Sequence, residues 1–334
     1  MTLHTPSIAR RSLRVAITGS AFAAAMAAAP LASAQASSAA SAKPAQNTLT
    51  VQTAKGAVAV PYAPKRVVVY DLASLDAMQA LGLPVVGVPK ANYPQYMQAY
   101  ADAKYTVAGG LFDPDYDALS RIQPDLIVIA GRSAKQYDIL SKIAPTIDLT
   151  TNGTSLLDDM QRNVTTLSSL WGKQADGDKL MQRVRAEVAS TKAIAQQQEP
   201  GLLVLAVSTN MSGQTPGSRF GLLYDVLGVK PAVAADPSKP RGVPLKMDDI
   251  AKINPQWLYV IDRNAGTGST TGKDGKPVVA SKALFDNDTI KNTDAGKKNQ
   301  VVFVDPQIWY LLGVAGPQAM LGNAAQLKEV WSRR

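Results

Sequence analysis

Three arginines stand at positions from which a bound anion could be held. Arg132 and Arg263 each follow an apolar run typical of a buried β-strand, and Arg219 lies in a loop rich in glycine and proline. Ligands of open parallel sheets bind outside the carboxyl ends of the strands, where the two strand-terminal arginines are expected. Because a guanidinium is a planar fork of donors that keeps its charge, three of them facing one cleft would bind a polyanion. The alternative is that they pair with nearby carboxylates such as Asp225 and Asp262.

Two neighbouring aromatic residues, Trp309 and Tyr310, follow the apolar strand pattern at 301–304. A tyrosine phenolate is a hard oxygen ligand suited to Fe(III), so Tyr310 is a candidate metal ligand. Trp309 could stack on a flat ligand. The alternative is that both rings pack in the core, and the residues by themselves favour that interpretation.

Several kinds of catalytic and metal site are excluded by the residue counts. The chain has no cysteine and one histidine, His4, so thiolate metal sites, disulfides and cysteine nucleophiles cannot occur. The acidic residues at 113–117 do not form an EF-hand loop, because Ala118 and Pro124 stand where Gly and Glu are required. We interpret these acids as helix N-caps. The segment 266–273 lacks the spacing and the Ser/Thr of a phosphate-binding loop.

The N-terminus has the features of a secretory signal peptide at 1–34. Basic residues at 10–14 precede an apolar stretch at 15–31, and the small residues at 32–34 form a cleavage site. Cleavage removes three of the 35 basic residues and none of the 26 acidic ones, which lowers the net charge from +9 to +6. It also removes His4, so the mature chain has no histidine for acid–base catalysis. Without a cysteine for a lipid anchor, we expect a soluble periplasmic protein that is not membrane-anchored.

The rest of the chain reads as two α/β lobes. It has 334 residues, 46% of them apolar and 18% charged, which is a globular composition long enough for two domains. No run of Lys or Arg accompanies the basic excess, so we expect no nucleic-acid partner. Residues 120–132 align without gaps on 251–263, each copy reading helix end, proline turn, strand and arginine. The predicted organisation is listed here in chain order: a disordered linker at 35–48, an N-terminal lobe at 49–155, helices including a long connecting one at 156–199, and a C-terminal lobe at 200–334.

The mature chain resembles the periplasmic ferric-siderophore-binding proteins of the enterochelin/petrobactin type, which supply ABC importers. The resemblance covers roughly residues 48–332 and rests on these segments together: Arg66–Asp71, Val86–Lys90, Ile129–Lys135, Ser218–Gly221, Tyr259–Arg263 and Asp305–Tyr310. It implies an α/β fold of two Rossmann-like lobes joined by a single long helix, the class III periplasmic binding protein, with little closure on binding. It also implies a ferric catecholate ligand, bound by Arg132, Arg219 and Arg263, with Tyr310 as the residue that can ligate iron.

One position departs from the pattern of the family. Relatives that complete the iron shell of a tetradentate siderophore have a His–Gly pair before the Asn–Pro turn, where this chain has Arg241 and Gly242. We therefore expect a hexadentate ferric siderophore, with Arg241 as a fourth positive contact.

The resemblance also implies partners. A non-catalytic, monomeric protein with no cofactor of its own would bind Fe(III) as a siderophore complex and deliver it to an inner-membrane ABC permease with its ATPase. Haem or a corrinoid is the alternative cargo, since similar folds carry both. A periplasmic hydrolase is the alternative from another class, although the mature chain lacks histidine and cysteine.

Overall fold

Short aliphatic runs form buried strands, because both faces of a parallel sheet are covered. Val67, Val68 and Val69 are all fully buried, as predicted for this run. The structure is a computed structural model that describes residues 47–151, 155–272, 274–312 and 315–333, all in one unit. The signal peptide predicted at 1–34, and all but the last two residues of the linker predicted at 35–48, lie outside the described residues.

The strands belong to a hairpin and to two five-stranded sheets. The hairpin consists of β1 (Thr48–Thr53) and β2 (Gly56–Pro61). The strands of the first sheet are β3 (Val67–Val69), β4 (Gly87–Val88), β5 (Thr106–Val107), β6 (Leu126–Ile129) and β7 (Thr146–Asp148). Those of the second sheet are β8 (Gly201–Val207), β9 (Asn210–Gln214), β10 (Val243–Leu245), β11 (Trp257–Asp262) and β12 (Val301–Phe303).

Both sheets have the same spatial order of strands. The first sheet is parallel throughout, in the order β5-β4-β3-β6-β7, and the second has the order β10-β9-β8-β11-β12. The second sheet differs from the parallel sheet predicted for it, because β9 runs antiparallel to β8 and β10. The chain reverses at Ser208, whose φ of 52° permits the tight turn into β9.

The helices cover the faces of the two sheets and connect them. In the first lobe they are α1 (Leu72–Ala80), α2 (Tyr116–Ile122) and α3 (Tyr137–Leu140), with 3₁₀ turns at Gln95–Ala101 and Ala134–Gln136. The connection contains α4 (Leu156–Ser169) and α5 (Gln174–Ala195). After β8 come α6 (Leu222–Asp225), α7 (Met247–Ile253), α8 (Arg263–Thr267), α9 (Ser281–Phe285), α10 (Asp288–Lys291), α11 (Asp294–Lys297), a π-helical turn (Gln307–Leu311) and α12 (Pro317–Ser332).

The long connecting helix begins earlier than predicted. The sequence pattern suggests interruptions at Gly172 and Gly177, but the break falls before Gln174, and Gly177 lies inside α5. Glycine at position 177 is explained by packing and not by a helix break. A Cβ there would lie 2.7 Å from Ser168 Oγ, so the glycine allows α4 and α5 to pack closely. At 1.5 Å per residue, the 22 residues of α5 span about 33 Å.

The C-terminal helix ties the lobes together. Although it follows the second sheet in sequence, α12 packs against α1 of the first lobe as well as against α5. Asp76 of α1 is fully buried; its Oδ2 accepts from the Gln318 N–H at 2.8 Å and its Oδ1 from the Tyr96 hydroxyl at 2.9 Å. A Cβ at Gly316, the N-cap of α12, would lie 2.7 Å from Asp76 Oδ2. The buried carboxylate therefore fixes the start of α12.

One hydrophobic cluster extends through both lobes. It contains residues from both sheets, from the connecting helices and from α12, among them Val69, Leu126, Val184, Leu203, Tyr259 and Leu327. Smaller clusters cover the other face of each sheet. A continuous core of this kind leaves little freedom for one lobe to move against the other.

Within the described ranges, no helix is both long enough and apolar enough to cross a membrane.

Candidate functional site

Arg132 is held in a tight turn at the carboxyl end of β6. Ser133 Oγ donates to the Ala130 carbonyl at 3.0 Å and accepts from the Ala130 N–H at 3.2 Å. The Gly131 N–H donates to Thr150 Oγ1 at 2.8 Å. These bonds fix the backbone on both sides of Arg132 at the carboxyl-end edge of the first sheet.

The Arg132 guanidinium reaches the second lobe. It donates to the carbonyl oxygens of Leu311 and Tyr310, at 2.9 and 3.1 Å. Burial lowers the pKa of Arg132, and the nearby Arg219 lowers it further, while Asp71 acts in the opposite direction. A guanidinium remains charged in proteins, so the positive charge at this junction is kept.

Arg219 lies against the same tyrosine. Its guanidinium carbon is 4.9 Å from the centre of the Phe220 ring and 5.6 Å from that of Tyr310, and Arg132 is 6.0 Å from the Tyr310 ring. The rings of Phe220 and Tyr310 stack, with centroids 5.7 Å apart. Two cations and two aromatic rings thus form one cluster between the lobes, an arrangement that cation–π attraction favours. We call Arg132, Arg219, Phe220 and Tyr310 the arginine–aromatic cluster.

The loop that carries Arg219 is fixed by its own hydrogen bonds. The Arg219 N–H donates to the Pro240 carbonyl at 2.8 Å, and the Gly217 N–H donates to Asp225 Oδ2 at 2.8 Å. Asp225 is therefore used in the loop, and among the described residues neither Arg132 nor Arg219 forms an ion pair with a carboxylate. The carboxylate-pairing alternative does not hold for these two arginines.

Tyr310 is presented by the π-helical turn. Asp305 Oδ1 accepts from the N–H groups of Gln307 and Ile308, both at 2.9 Å, and so caps the start of the turn. Gly266 of α8 packs directly against the turn, since a Cβ there would lie 2.5 Å from the Pro306 carbonyl oxygen. Tyr310 is half-buried. Single π turns are rare and often occur at functional sites.

Arg263 lies beside this cluster in space, and among the described residues no hydrogen bond, ion pair or cation–π contact joins its guanidinium to the cluster. It is half-buried and begins α8, which packs against the Tyr310 turn. Asp262 does not pair with it; that carboxylate accepts from the Ala265 and Ser281 N–H groups at 3.0 and 2.9 Å. In the described part of the chain, the Arg263 guanidinium has no hydrogen bond or ion pair. It remains a predicted ligand contact.

Arg241 is exposed in the loop that adjoins Arg219. Its carbonyl accepts from Gln214 Nε2 at 3.3 Å, and the preceding residue, Pro240, accepts the Arg219 N–H. The backbone therefore places Arg241 next to the Arg219 loop. Its role as a fourth positive contact remains a prediction.

The predicted stacking of Trp309 on a flat ligand does not fit its position in the structure. Its side chain is fully buried, and its indole N–H donates to Gln326 Oε1 of α12 at 3.0 Å. A ring in that position cannot stack on a ligand unless the core repacks. The alternative interpretation, core packing, describes Trp309, whereas the neighbouring Tyr310 reaches the cleft.

The structure adds residues that the sequence reasoning did not assign. Asn92 Nδ2 donates across the lobes to the carbonyls of Ala265 and Gly266, at 3.2 and 3.1 Å, and Gln307 Nε2 donates to the Tyr93 carbonyl at 2.9 Å. These amides have no sequence signature. Phe220 did have a signal, because it follows Arg219 directly in the Ser-Arg-Phe-Gly segment.

Comparison with known proteins gives consistent results. Residues 67–308 match the periplasmic binding protein family. The petrobactin-binding protein YclQ of Bacillus subtilis is 33% identical over 290 residues, which cover 86% of this chain and 89% of YclQ. The ferric-anguibactin-binding protein FatB of Vibrio anguillarum is 29% identical over 275 residues, covering 80% of this chain and 83% of FatB.

Solved structures show the same likeness. The crystal structure of YclQ superposes with a TM-score of 0.79 at 31% identity, covering 86% of this chain and all of that chain. The periplasmic catecholate-siderophore binding protein VctP of Vibrio cholerae gives a TM-score of 0.76 at 29% identity, covering 85% of this chain and all of VctP. The predicted fold class, two α/β lobes joined through a long helix, is confirmed.

Proposed function

The chain belongs to the periplasmic binding protein family, and from that membership we propose that it binds an anionic ferric siderophore and delivers it to an ABC importer. Relatives that it resembles over most of their length are named for petrobactin, ferric anguibactin and catecholate siderophores. This protein is proposed to act by binding alone, without catalysis.

One observation carries the proposal: two guanidiniums without carboxylate partners lie beside the Tyr310 ring, between the lobes. A ferric tris-catecholate complex is anionic and has flat aromatic surfaces. Charge-assisted hydrogen bonds from Arg219 and stacking on the half-buried Tyr310 ring would bind both features at once. Arg132 supplies further positive charge, and Arg263 and Arg241 are proposed as additional contacts.

Iron is proposed to arrive already coordinated by the siderophore. No group of three or more His, Cys, Asp or Glu residues that could hold a metal is found in the described parts of the chain. Tyr310 is proposed as a protein ligand for Fe(III) where the siderophore leaves a coordination position open; a hexadentate siderophore fills all six positions itself, so Tyr310 would then contact its catecholate groups. Because Arg241 stands where a histidine would complete a tetradentate complex, we propose a preference for hexadentate siderophores.

The proposed location is the periplasm. The predicted signal peptide at 1–34 would be removed on export, leaving a monomer that is not anchored in the membrane. Its partners would be the ferric siderophore and an inner-membrane ABC permease with its ATPase. Neither a nucleic acid nor a resident cofactor is part of the proposal.

Fluorescence titration tests this function directly. Protein purified after expression of the full chain is titrated with a hexadentate ferric tris-catecholate, its tetradentate counterpart and haem, and the tryptophan emission is recorded. We expect quenching at submicromolar ferric tris-catecholate and weaker binding of the tetradentate complex. Quenching by haem alone would contradict the proposed cargo.

A matched pair of variants tests the site. Arg219→Gln should weaken binding about tenfold or more, because a charge-assisted contact is lost. Arg121→Gln, an exposed position at the end of α2, removes the same charge away from the cluster and should leave the affinity unchanged. Equal affinities for the two variants would contradict the assignment of Arg219.

A further inference from the structure

A cavity of about 1000 Å³ lies between the connecting helices and the second lobe. Its walls come from the first turn of α4, from the stretch 185–192 of α5, and from the segment 217–226 with Pro240. Arg219 is shared, because it lines the cavity while its guanidinium lies 5.6 Å from the centre of the Tyr310 ring. The volume is within the range of small-molecule sites. The cavity therefore adjoins the arginine–aromatic cluster without being part of it.

Aliphatic side chains form much of the cavity wall. Leu156, Val188 and Leu222 belong to the common core and contribute to the lining, and Leu157 and Val226 are half-buried there. These side chains come from α4, from α5 and from the α6 segment, so apolar surface surrounds the cavity from three sides. Such a surface is suited to an apolar chain, because covering it removes hydrocarbon from water.

The charges of the cavity leave a positive excess. Asp158 is paired with Arg185 at 3.0 Å, and Asp225 accepts the Gly217 N–H. Arg219 and Lys192 also line the cavity, and neither forms an ion pair with any carboxylate of the described residues. A ligand group in the cavity that carries negative charge would find these two cations available.

We propose that the cavity is a second compartment of the cargo site, which takes an aliphatic arm of the siderophore that ends in a carboxylate. This inference rests on the proposed function, since the ferric centre is placed at the arginine–aromatic cluster. The arm passes Arg219, its hydrocarbon covers the aliphatic wall, and Lys192 binds the terminal carboxylate. The cargo is then larger than a symmetric tris-catecholate.

Two synthetic cargoes test the proposal. Both are ferric tris-catecholamides with the same iron centre, and one of them carries a six-carbon chain with a terminal carboxylate. The natural protein should bind the arm-bearing complex about tenfold more tightly, because several methylene groups leave water. Ala189→Trp, at an exposed residue of the cavity wall, should abolish this preference and keep the affinity for the complex without the arm.

The control is Ala175→Trp, an exposed alanine of the same helix about 21 Å away along its axis, which should keep the preference. Lys192→Gln should remove the preference for a carboxylate-ended over an amide-ended arm. An arm preference that is absent, or that survives Ala189→Trp, overturns the second compartment alone. If neither complex binds the natural protein, the proposed function fails and the second compartment fails with it.

Discussion

Asp76 shows how a single buried side chain connects the two lobes. The carboxylate is fully buried and accepts from a tyrosine hydroxyl and from the first turn of α12. Burial raises the pKa of Asp76 to about 7, because its effect outweighs the hydrogen bonds from Tyr96 and Gln318, which lower the pKa. The folded protein therefore holds a proton on Asp76 at pH values where the unfolded chain has lost it.

This difference predicts how stability depends on pH. Between about pH 4 and pH 7 the folded state binds more protons at Asp76, so the free energy of unfolding should fall as the pH rises, by at most about 1.4 kcal/mol per pH unit. Asp76→Asn should remove this contribution to the slope. Urea denaturation at several pH values measures it. The control Asp178→Asn, at an exposed site on α5, should keep the slope, and equal slopes for the natural protein and Asp76→Asn would contradict the prediction.

The residues of the candidate site could be predicted only in part. Arg132 is predictable because a residue just past a parallel strand must lie at the ligand edge of the sheet. The distinction between Trp309 and Tyr310 is not predictable, since neighbours in a helical turn point in different directions and the π turn changes the usual spacing. Which ring faces the cleft depends on Gln326, 17 residues later, which accepts the Trp309 N–H.

Among the elements, the internal repeat has a geometric counterpart. The aligned residues Gln123 and Asn254 end α2 and α7, and both have left-handed backbone conformations, with φ of 48° and 47°. Each leads through a proline into the fourth strand of its sheet, β6 or β11. The sequence alignment therefore identified two copies of one structural unit.

The two copies should respond differently to glycine. Gln123 is exposed, and its Cβ makes the left-handed backbone conformation unfavourable. Gln123→Gly should therefore stabilise the protein by about 0.5–1 kcal/mol. Asn254 tolerates this conformation better, and its Oδ1 accepts from the Asp294 N–H at 2.8 Å. Asn254→Gly should therefore be neutral or destabilising. Thermal unfolding of both variants measures this, and stabilisation by both changes would show that the Asp294 contact contributes nothing.

The antiparallel β9 shows what element prediction misses. Its residues Asn210–Gln214 are mostly polar and include a glycine, so they lack the β-branched pattern of a strand. The strand exists because β8 on one side and β10 on the other supply backbone partners. Partners that are distant in sequence cannot be inferred from the local composition.

At the scale of the whole molecule, the lobes share one core. The hydrophobic cluster continues from one sheet to the other, and hydrogen bonds from Asn92, Arg132 and Gln307 cross the cleft. A hinge that closes over its ligand needs a few residues to absorb the motion, with little packing across the joint. The contacts across this cleft support the limited closure that the family resemblance implies.

Small-angle scattering tests this rigidity. The radius of gyration expected for the described residues is about 19 Å, and the measured value should be the same with and without ferric siderophore. A clear decrease on loading, with siderophore binding confirmed in the same sample, would contradict the prediction. Apo protein alone, measured at two concentrations, controls for association.

A shared core would affect how empty and loaded copies of the protein compete for the permease. If loading hardly changes the outline of the molecule, an empty copy presents almost the same docking surface as a full one. Under the proposed function, empty copies then compete with loaded ones, and when cargo is scarce a surplus of the protein slows uptake. The most productive abundance of the protein would then depend on the ratio of this protein to its transporter.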